Sequence, residues 1–237
     1  MTKLSVNINK IATIRNARGG SIPNVAEAAE RIESFGAEGI TVHPRPDERH
    51  ITYNDVRILK DVVQTEFNIE GYPNREWLDL VIEACPAQAT LVPDPPGVLT
   101  SNAGWDTLKN ESFLTEVIQE LKGKGIRTSV FVETDAQMIE GAARIGSDRI
   151  ELYTEAYASN YPKDALEAVT PFARAASVAH ANQLGVNAGH DLDLQNLKYF
   201  ASNVPHLEEV SIGHALISDA LYFGLENTVQ MYLSKLS

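Results

Sequence analysis

The chain has 237 residues, of which 43% are hydrophobic, and its formal net charge is −12 at pH 7. Barrel enzymes of about 250 residues commonly form one domain, so we expect a single catalytic domain over residues 1–237. A chain this acidic is a poor candidate for binding nucleic acid or an anionic membrane, because both attract basic surfaces.

Three further features favour a cytoplasmic protein. No apolar run reaches the roughly 18 residues that a membrane span requires. The first ten residues, MTKLSVNINK, lack the charged-then-apolar layout of a signal peptide. Cys85 is the only cysteine, so no intrachain disulfide can form. We therefore expect a cytoplasmic location and no membrane partner.

Short β-prone stretches alternate with longer helical patterns, which is typical of βαβ units and a parallel sheet. The predicted strands are 4–8, 39–42, 67–70, 88–92, 127–132, 149–152, 185–187 and 209–212. The predicted helices are 24–35, 54–66, 75–84, 111–124, 136–145, 163–184, 194–202 and 218–234. Eight strands, each followed by a helix, predict an α/β fold of the (β/α)₈ TIM-barrel class. A doubly wound open sheet is the alternative, although no GxGxxG or Walker loop supports it.

Glycines mark several predicted junctions between a helix and the following strand. They are Gly36, Gly123, Gly125, Gly146 and Gly185. A helix C-terminus favours a left-handed residue, and glycine adopts that conformation without steric cost. The pattern predicts that the helices end at these positions.

Polar and ionisable residues stand at or just beyond the predicted strand ends, where the active site of a barrel lies. They are Asn7, Asn9, Lys10, His43, Arg45, Glu70, Asp94, Thr100, Glu133, Glu151, Thr154, His190, Asp191 and His214. A hydrophobic core does not favour such residues, because burying an unpaired charge is costly. Their accumulation at one end of the sheet predicts a site for acid–base chemistry.

Two of these residues suit proton transfer. His43 follows the apolar run Gly-Ile-Thr-Val, and Glu70 ends the run Phe-Asn-Ile-Glu. Burial raises the pKa of a carboxylate unless a cation pairs with it, and a raised pKa suits a general base near neutral pH. The structural alternatives are a hydrogen-bonded core histidine for His43 and an ion pair with an arginine for Glu70.

A basic cluster occupies the first fifty residues of this acidic chain. It comprises Lys10, Arg15, Arg18, Arg45 and Arg49. The cluster suggests a small anionic ligand, and ordinary surface ion pairs are the alternative.

Two Gly-His pairs follow the last two predicted strands. Gly189-His190 and Gly213-His214 stand in the loops where barrels commonly hold phosphate. No spacing of histidines, Cys85 and carboxylates matches a metal-ligand motif, so we expect no metal site. No predicted strand ends in lysine either, so an amine needed for a carbonyl condensation would come from a substrate.

Several segments together resemble the pyridoxine 5′-phosphate synthase family. They are Val6-Asn-Ile-Asn-Lys-Ile-Ala-Thr-Ile-Arg-Asn-Ala-Arg-Gly19, Gly39-Ile-Thr-Val-His-Pro-Arg45, Arg49-His-Ile51, Val186-Asn-Ala-Gly-His190 and Ile212-Gly-His-Ala215. The resemblance extends in order over essentially the whole chain. It implies a (β/α)₈ barrel with extra helices that assembles as a homo-octamer built of dimers. It also implies the condensation of 3-amino-2-oxopropyl phosphate with 1-deoxy-D-xylulose 5-phosphate to pyridoxine 5′-phosphate, phosphate and water, without an organic cofactor.

The resemblance also implies a role for each matching residue. His43 and Glu70 would accept protons, His190 would donate one, and Glu151 would stabilise a transition state. The residues implied for 3-amino-2-oxopropyl phosphate are Asn7, Arg18, Gly213 and His214, and Asp191 is implied as a substrate-binding residue near a phosphate site. The residues implied for 1-deoxy-D-xylulose 5-phosphate are Asn9, Lys10, Arg45, His50 and Thr100.

The chain departs from the family pattern in three places. Asn9-Lys10 replaces an expected Asp-His, which puts a fixed cation where the family has a histidine. Asp191 replaces a glycine after His190, which brings a carboxylate to a phosphate site unless Asp191 caps the next helix. Glu155 replaces a glycine after Thr154.

Two other functions fit part of the sequence. A barrel isomerase or aldolase acting on one sugar phosphate would need one phosphate site, whereas this sequence offers two candidate regions. A barrel that binds and senses a phosphorylated metabolite without catalysis would not need Glu70 on an apolar strand.

Overall fold

A computed structural model describes residues 2–94 and 103–237 of the chain. Eight parallel strands close into a barrel in sequence order. They are β1 (Lys3–Asn7), β2 (Gly39–Val42), β3 (Glu66–Gly71), β4 (Gln88–Leu91), β5 (Arg127–Val132), β6 (Arg149–Leu152), β7 (Gly185–Ala188) and β8 (Leu207–Ile212). The pairing of β1 with β8 closes the barrel, so the TIM-barrel prediction is confirmed and the open-sheet alternative is wrong.

Eleven helices surround the barrel in the described part of the chain. They are α1 (Asn9–Asn16), α2 (Val25–Ser34), α3 (Tyr53–Val62), α4 (Arg75–Ala84), α5 (Glu111–Lys122), α6 (Ala136–Arg144), α7 (Glu155–Asn160), α8 (Ala165–Ala181), α9 (Leu197–Asn203), α10 (His214–Phe223) and α11 (Leu225–Leu236). The short helices α1 and α7 are additions to the elements read from sequence patterns. The predicted last helix, 218–234, is two helices, because Gly224 between α10 and α11 has φ 79° and ψ 150°.

Side-chain caps and glycines set several helix ends. Thr52 and Asp55 form a reciprocal capping box at the start of α3. Gly36 and Gly146 are left-handed, as predicted, at φ 100° and 82°. Gly185 does not have the predicted left-handed conformation, and the left-handed residue after α8 is Gln183. Gly185 lies in β7, where an added Cβ atom would come within 2.8 Å of the Arg149 side chain. The small size of Gly185 therefore serves packing.

Apolar side chains on the outer face of the strands pack against the helices. Val6 of β1, Ile40 of β2 and Ile69 of β3 are fully buried in one hydrophobic cluster with Ile32 of α2 and Leu59 of α3. Burial of this outer face provides the main hydrophobic stabilisation of the fold.

Polar side chains fill the inside of the barrel. The hydroxyl groups of Ser5 and Thr41 lie 2.8 Å apart, Asn68 donates to Thr41, and Thr90 donates to Asn68. These four side chains link β1, β2, β3 and β4. Barrel interiors are more often packed with branched apolar residues, so this interior depends on satisfied hydrogen bonds.

An ion-pair cluster lies among the first residues of the strands. Glu66 of β3 accepts from Lys3 of β1 at 2.5 Å and from Arg127 of β5, and Arg127 also donates to Gln88. Burial opposes ionisation of Glu66, but the two cations outweigh it and hold its pKa at about 2. Charges inside this barrel are thus stable where they are paired.

The parallel strands bring all their carboxyl ends to one end of the barrel. In the described ranges, no helix has both the length and the apolar character needed to cross a membrane. The assignment of the whole chain to one catalytic domain stays a prediction.

Candidate active site

The carboxylate of Glu70 connects the ends of the first three strands. Its Oε1 atom accepts a 3.0 Å hydrogen bond from Asn7 of β1 and lies 3.5 Å from Nδ1 of His43, which follows β2. The backbone carbonyl of Glu70 accepts from the indole N–H of Trp77 in α4 at 3.2 Å. Glu70 is therefore held both by its side chain and by its main chain.

The pKa of Glu70 is lowered, not raised. Burial alone would raise this pKa, but the hydrogen bond from His43 and the charges of His43, His190 and His50 outweigh the effect of burial. The expected rise does not occur because histidines face the carboxylate. Glu70 is thus ionised at neutral pH and can act as a proton or hydrogen-bond acceptor.

Two asparagines position the loop that carries His43. The Oδ1 atom of Asn7 accepts from the backbone N–H of Asn9 at 3.1 Å, and Oδ1 of Asn9 accepts from the backbone N–H of His43 at 2.9 Å. Asn9 is the first residue of α1. The oxygen of its side chain thus fixes the backbone of His43.

His50 lies beside His43 with its ring centroid 6.3 Å away. Burial lowers the pKa of His50 to about 4, and the charges of His43, Arg45 and Lys10 contribute to the decrease. Its Nδ1 atom accepts from the N–H of Ile51, so the neutral ring carries its proton on Nε2. His50 can therefore donate a hydrogen bond, and Lys10 lies close enough to act on it electrostatically.

A cavity of 260 Å³ opens beside His43. Arg45 and Arg49 line it, each next to an aspartate: Arg45 donates to Asp94 at 3.0 Å, and Arg49 lies 2.6 Å from Asp47. The pair formed by Arg45 and Asp94 is buried. Part of the predicted basic cluster therefore forms ion pairs while still lining a cavity.

Arg15 belongs to the framework and not to the cavity. It forms a bidentate pair with Asp55 of α3 and donates to the carbonyl of His50. For Arg15, the ion-pair alternative is correct. The pair fixes the segment that precedes α3 and with it the position of His50.

Glu151 of β6 is a buried carboxyl group with a pKa well above its usual value. Burial is the main cause, and the neighbouring charges of Glu70 and Glu209 act in the same direction. Its Oε2 atom is buried without a hydrogen-bond partner among residues 2–94 and 103–237. Glu151 therefore keeps its proton to higher pH than an ordinary carboxyl group does, in contrast to Glu70.

His190 follows β7 and is exposed at the mouth of the barrel. Its ring meets Tyr153 and Phe131 edge-on, with centroids 6.4 and 6.5 Å apart. Its charge contributes to the lowered pKa of Glu70, which places both residues at the same mouth. The imidazole of His190 is therefore accessible to a ligand at this mouth.

Asp191 does not cap the next helix. Its backbone N–H donates to Thr154, whereas the turn before α9 is held by Asp193 and Asn196. Burial raises the pKa of Asp191, and the charge of Glu155 adds to this, against the effect of His190. The two departures Asp191 and Glu155 therefore act on each other at this edge of the mouth.

The remaining candidate residues are Gly213, His214, Arg18 and Thr100. Gly213 packs so closely on Asn7 that a Cβ atom would come within 3.0 Å of the asparagine side chain. His214 is exposed in the first turn of α10, and Arg18 is exposed in the turn after α1. No hydrogen bond or ion pair joins the Arg18 side chain to another candidate in the described ranges. Thr100 lies outside the described residues.

The structure adds three residues to the predicted site. Trp77 anchors Glu70, and Tyr153 and Phe131 support His190. The sequence signal for Tyr153 and Phe131 was their position in or just after a strand, but an aromatic residue there also fits a core. Among the described residues, no three histidine, cysteine or carboxylate side chains group as a metal ion would require.

The fold and the mouth define a TIM-barrel enzyme with ionisable groups at the ends of its strands. The chain belongs to the family of the pyridoxal phosphate biosynthesis protein PdxJ, which matches residues 4–237. It is 65% identical over 236 residues to the pyridoxine 5′-phosphate synthase of Christiangramia forsetii, covering 100% of both chains. It is also 65% identical to the synthase of Bacteroides fragilis, with 98% of each chain covered.

Solved structures share the fold at much lower identity. The 3-keto-L-gulonate-6-phosphate decarboxylase of Vibrio cholerae superposes with a TM-score of 0.67 at 7% identity, covering 99% of this chain and 97% of the other. The phosphoribosylanthranilate isomerase of Thermotoga maritima gives 0.61 at 13% identity, covering 100% and 98%. These similarities show the barrel fold alone.

The pairing of Arg45 with Asp94 leads to a binding prediction. Asp94→Asn removes a carboxylate that competes with an anion for the guanidinium group. Calorimetry with inorganic phosphate should show binding that is tighter by about tenfold, or about 1.4 kcal/mol. The melting temperature should fall, because the buried ion pair between Arg45 and Asp94 is lost.

Arg45→Ala is the matched control and should abolish the gain in the double variant. Weaker phosphate binding by Asp94→Asn would contradict the competition and would show that Asp94 holds Arg45 in its binding geometry.

Proposed function

We propose that this enzyme joins 3-amino-2-oxopropyl phosphate to 1-deoxy-D-xylulose 5-phosphate and releases pyridoxine 5′-phosphate, phosphate and water. The observation that carries the proposal is that the pKa values of two buried carboxyl groups inside one barrel, Glu70 and Glu151, are shifted in opposite directions. Two carboxyl groups in opposite protonation states supply an acceptor and a donor at the same pH. Membership of the PdxJ family supports the choice of reaction.

The ring closure is a sequence of proton transfers. The substrate amine attacks a ketone, phosphate is eliminated, and a second carbonyl is attacked to close the ring, with a net loss of two water molecules by the time the ring is aromatic. Each positioned acid or base contributes typically about 10²–10⁴-fold to such a step. No lysine of the enzyme is needed, because the amine belongs to a substrate.

Glu70 and His43 together act as proton acceptors in this proposal. The carboxylate faces Nδ1 of His43, which leaves Nε2 for the substrate, and His43 lines the cavity. His190, exposed on the opposite side of the mouth, donates a proton to the leaving group. Glu151, whose Oε2 atom has no partner among the described residues, donates a hydrogen bond in this proposal to an oxygen that gains negative charge.

Two regions of the mouth suit the two phosphate groups. Arg45, His50 and Lys10 lie on one side and would hold 1-deoxy-D-xylulose 5-phosphate together with Asn9 and Thr100. Gly213 and His214 begin α10, whose N-terminal N–H groups attract an anion, and Asn7 packs against Gly213. With Arg18 and Asp191 they would hold 3-amino-2-oxopropyl phosphate.

We also propose that the enzyme is cytoplasmic and assembles as a homo-octamer built of dimers. Support for the assembly comes from the end of α10, where three consecutive large apolar residues are exposed. The exposed fractions are 72% for Leu221, 85% for Tyr222 and 49% for Phe223. Contiguous exposed apolar side chains are typical of surfaces that another chain covers.

The direct test of the function is incubation of the enzyme with both substrates. The expected result is the appearance of the pyridoxine chromophore together with released phosphate, and neither substrate alone should change. Conversion of one sugar phosphate by itself would support an isomerase or aldolase. Binding of both compounds without product would support a sensor.

The role of Glu70 is tested by Glu70→Gln, which keeps the acceptor oxygen but removes the negative charge. Turnover should fall by at least about a hundredfold, the low end for a lost general base, while substrate affinity changes little. Single-turnover rates and melting temperatures on one preparation measure both effects.

Glu66→Gln is the matched control, because Glu66 begins the same strand but pairs with Lys3 and Arg127 far from the mouth. It should lose stability and keep its turnover. A destabilised Glu70→Gln variant that remains active would show that Glu70 is only a structural partner.

A further inference from the structure

Glu209 is a second buried carboxyl group inside the barrel, and the proposed reaction does not use it. Only 2% of the residue is exposed, and it lies on β8 among the polar side chains of the interior. Removing a carboxylate from water is costly unless strong partners surround it. Its partners here are weak: Asn187 donates at 3.4 Å, and Arg149 lies 3.8 Å away.

The barrel register joins Glu209 to Glu151. Asn187 of β7 stands directly between them, paired with Glu151 of β6 on one side and with Glu209 of β8 on the other. Residues paired in a parallel register point to the same face, so all three side chains point into the barrel. Arg149 donates to Oδ1 of Asn187 at 3.1 Å, which fixes the amide so that its N–H group faces Glu209.

We propose that Glu209 is a positioning residue for the reaction, because its buried negative charge, one strand beyond Asn187, keeps Glu151 protonated. The inference rests on the proposed function, in which Glu151 must carry a proton. Oε2 of Glu151 has no partner among the described residues that would hold that proton in place. Instead of a hydrogen bond, electrostatic repulsion from the carboxylate of Glu209 keeps the proton on Glu151.

The pKa shifts of Glu209 and Glu151 and the charged groups around them are consistent with an effect of Glu209 on Glu151. Burial raises the pKa of Glu209 to about 7, whereas the pKa of Glu151 is raised well above its usual value. In the proposal, Glu209 is therefore ionised above neutral pH, and its charge helps Glu151 to keep its proton there. The other charged groups that face this pair across the interior are Glu70 on β3 toward Glu151, and Arg149 on β6, Glu66 on β3, Arg127 on β5 and Lys3 on β1 toward Glu209.

An anion at Glu209 opposes the formation of a second anion at Glu151, so Glu151 loses its proton at a higher pH than it otherwise would. In Glu209→Gln this opposition is gone, and Glu151 should ionise at lower pH. Activity that needs protonated Glu151 should then fall earlier as the pH rises.

The experiment records the pH dependence of kcat for the wild type and Glu209→Gln. The basic limb should move down by about one pH unit, which corresponds to a tenfold change in the proton affinity of Glu151. Glu209→Asp, which keeps the charge, should leave the basic limb close to its wild-type position. A loss of activity with an unmoved limb would overturn the proposal and leave Glu209 a structural residue.

Glu208→Gln is the matched control. Glu208 is the neighbouring residue on β8 and pairs with the same Arg149 at 2.6 Å, but its side chain is 48% exposed. This variant should leave the limb in place. An equal shift in Glu208→Gln would show that the effect passes through Arg149, which contradicts a direct effect of the Glu209 charge.

A second readout does not depend on turnover. Infrared difference spectra of the ligand-free enzyme follow the carbonyl band of a protonated carboxyl group, and Glu151→Gln assigns the band. The band should disappear at lower pH in Glu209→Gln than in the wild type. If the wild type makes no product, the proposed function fails while this titration still decides whether Glu209 controls the proton of Glu151.

A variant with the opposite effect covers the case in which Glu209→Gln does not fold. Asn187→Asp adds a negative charge beside Glu151 and should preserve the carbonyl band to higher pH. A band that titrates as in the wild type in this variant would contradict the proposal.

Discussion

The carboxylate of Glu70 is the contact on which the arrangement of the mouth depends. It receives a hydrogen bond from Asn7 and faces His43, so it ties together the ends of three strands. Asn7 in turn orders Asn9, which holds the backbone of His43. A chain of neighbouring side chains thus fixes the position of the His43 ring. Proton transfer requires such a fixed position.

The division of the strands into an apolar outer face and a polar inner face makes two kinds of carboxyl group possible. Where cations face a carboxyl group, as at Glu66, its pKa is depressed; where burial and other carboxylates dominate, as at Glu151, its pKa is raised. The same residue type therefore has opposite pKa shifts at Glu70 and at Glu151. The outer face meanwhile provides the hydrophobic stabilisation, so the interior can carry charges.

Much of this architecture could be predicted, because alternating β-prone runs and helical patterns record which residues face the core. The residues at the strand ends followed from the same pattern, and Glu70, His43 and His190 do lie at one mouth. The direction of the Glu70 pKa could not be predicted, since it depends on histidines that approach from other strands. The pairing of Arg45 with Asp94 joins the segments that follow β2 and β4, which are 49 residues apart in sequence, and leaves no local signal. Gly224 broke the predicted last helix through its backbone conformation, which the apolar periodicity does not encode.

The central claim is that an ionised Glu70 orients His43 for proton transfer, and ¹⁵N NMR of the His43 ring tests it most directly. In ligand-free enzyme at neutral to mildly basic pH, the neutral ring should carry its proton on Nδ1, facing the carboxylate, with Nε2 unprotonated and open to the cavity. In Glu70→Gln this preference should weaken, because the carboxylate acceptor is gone. A wild-type ring protonated on Nε2 instead would contradict the account, since Glu70 would then have no proton to accept from His43.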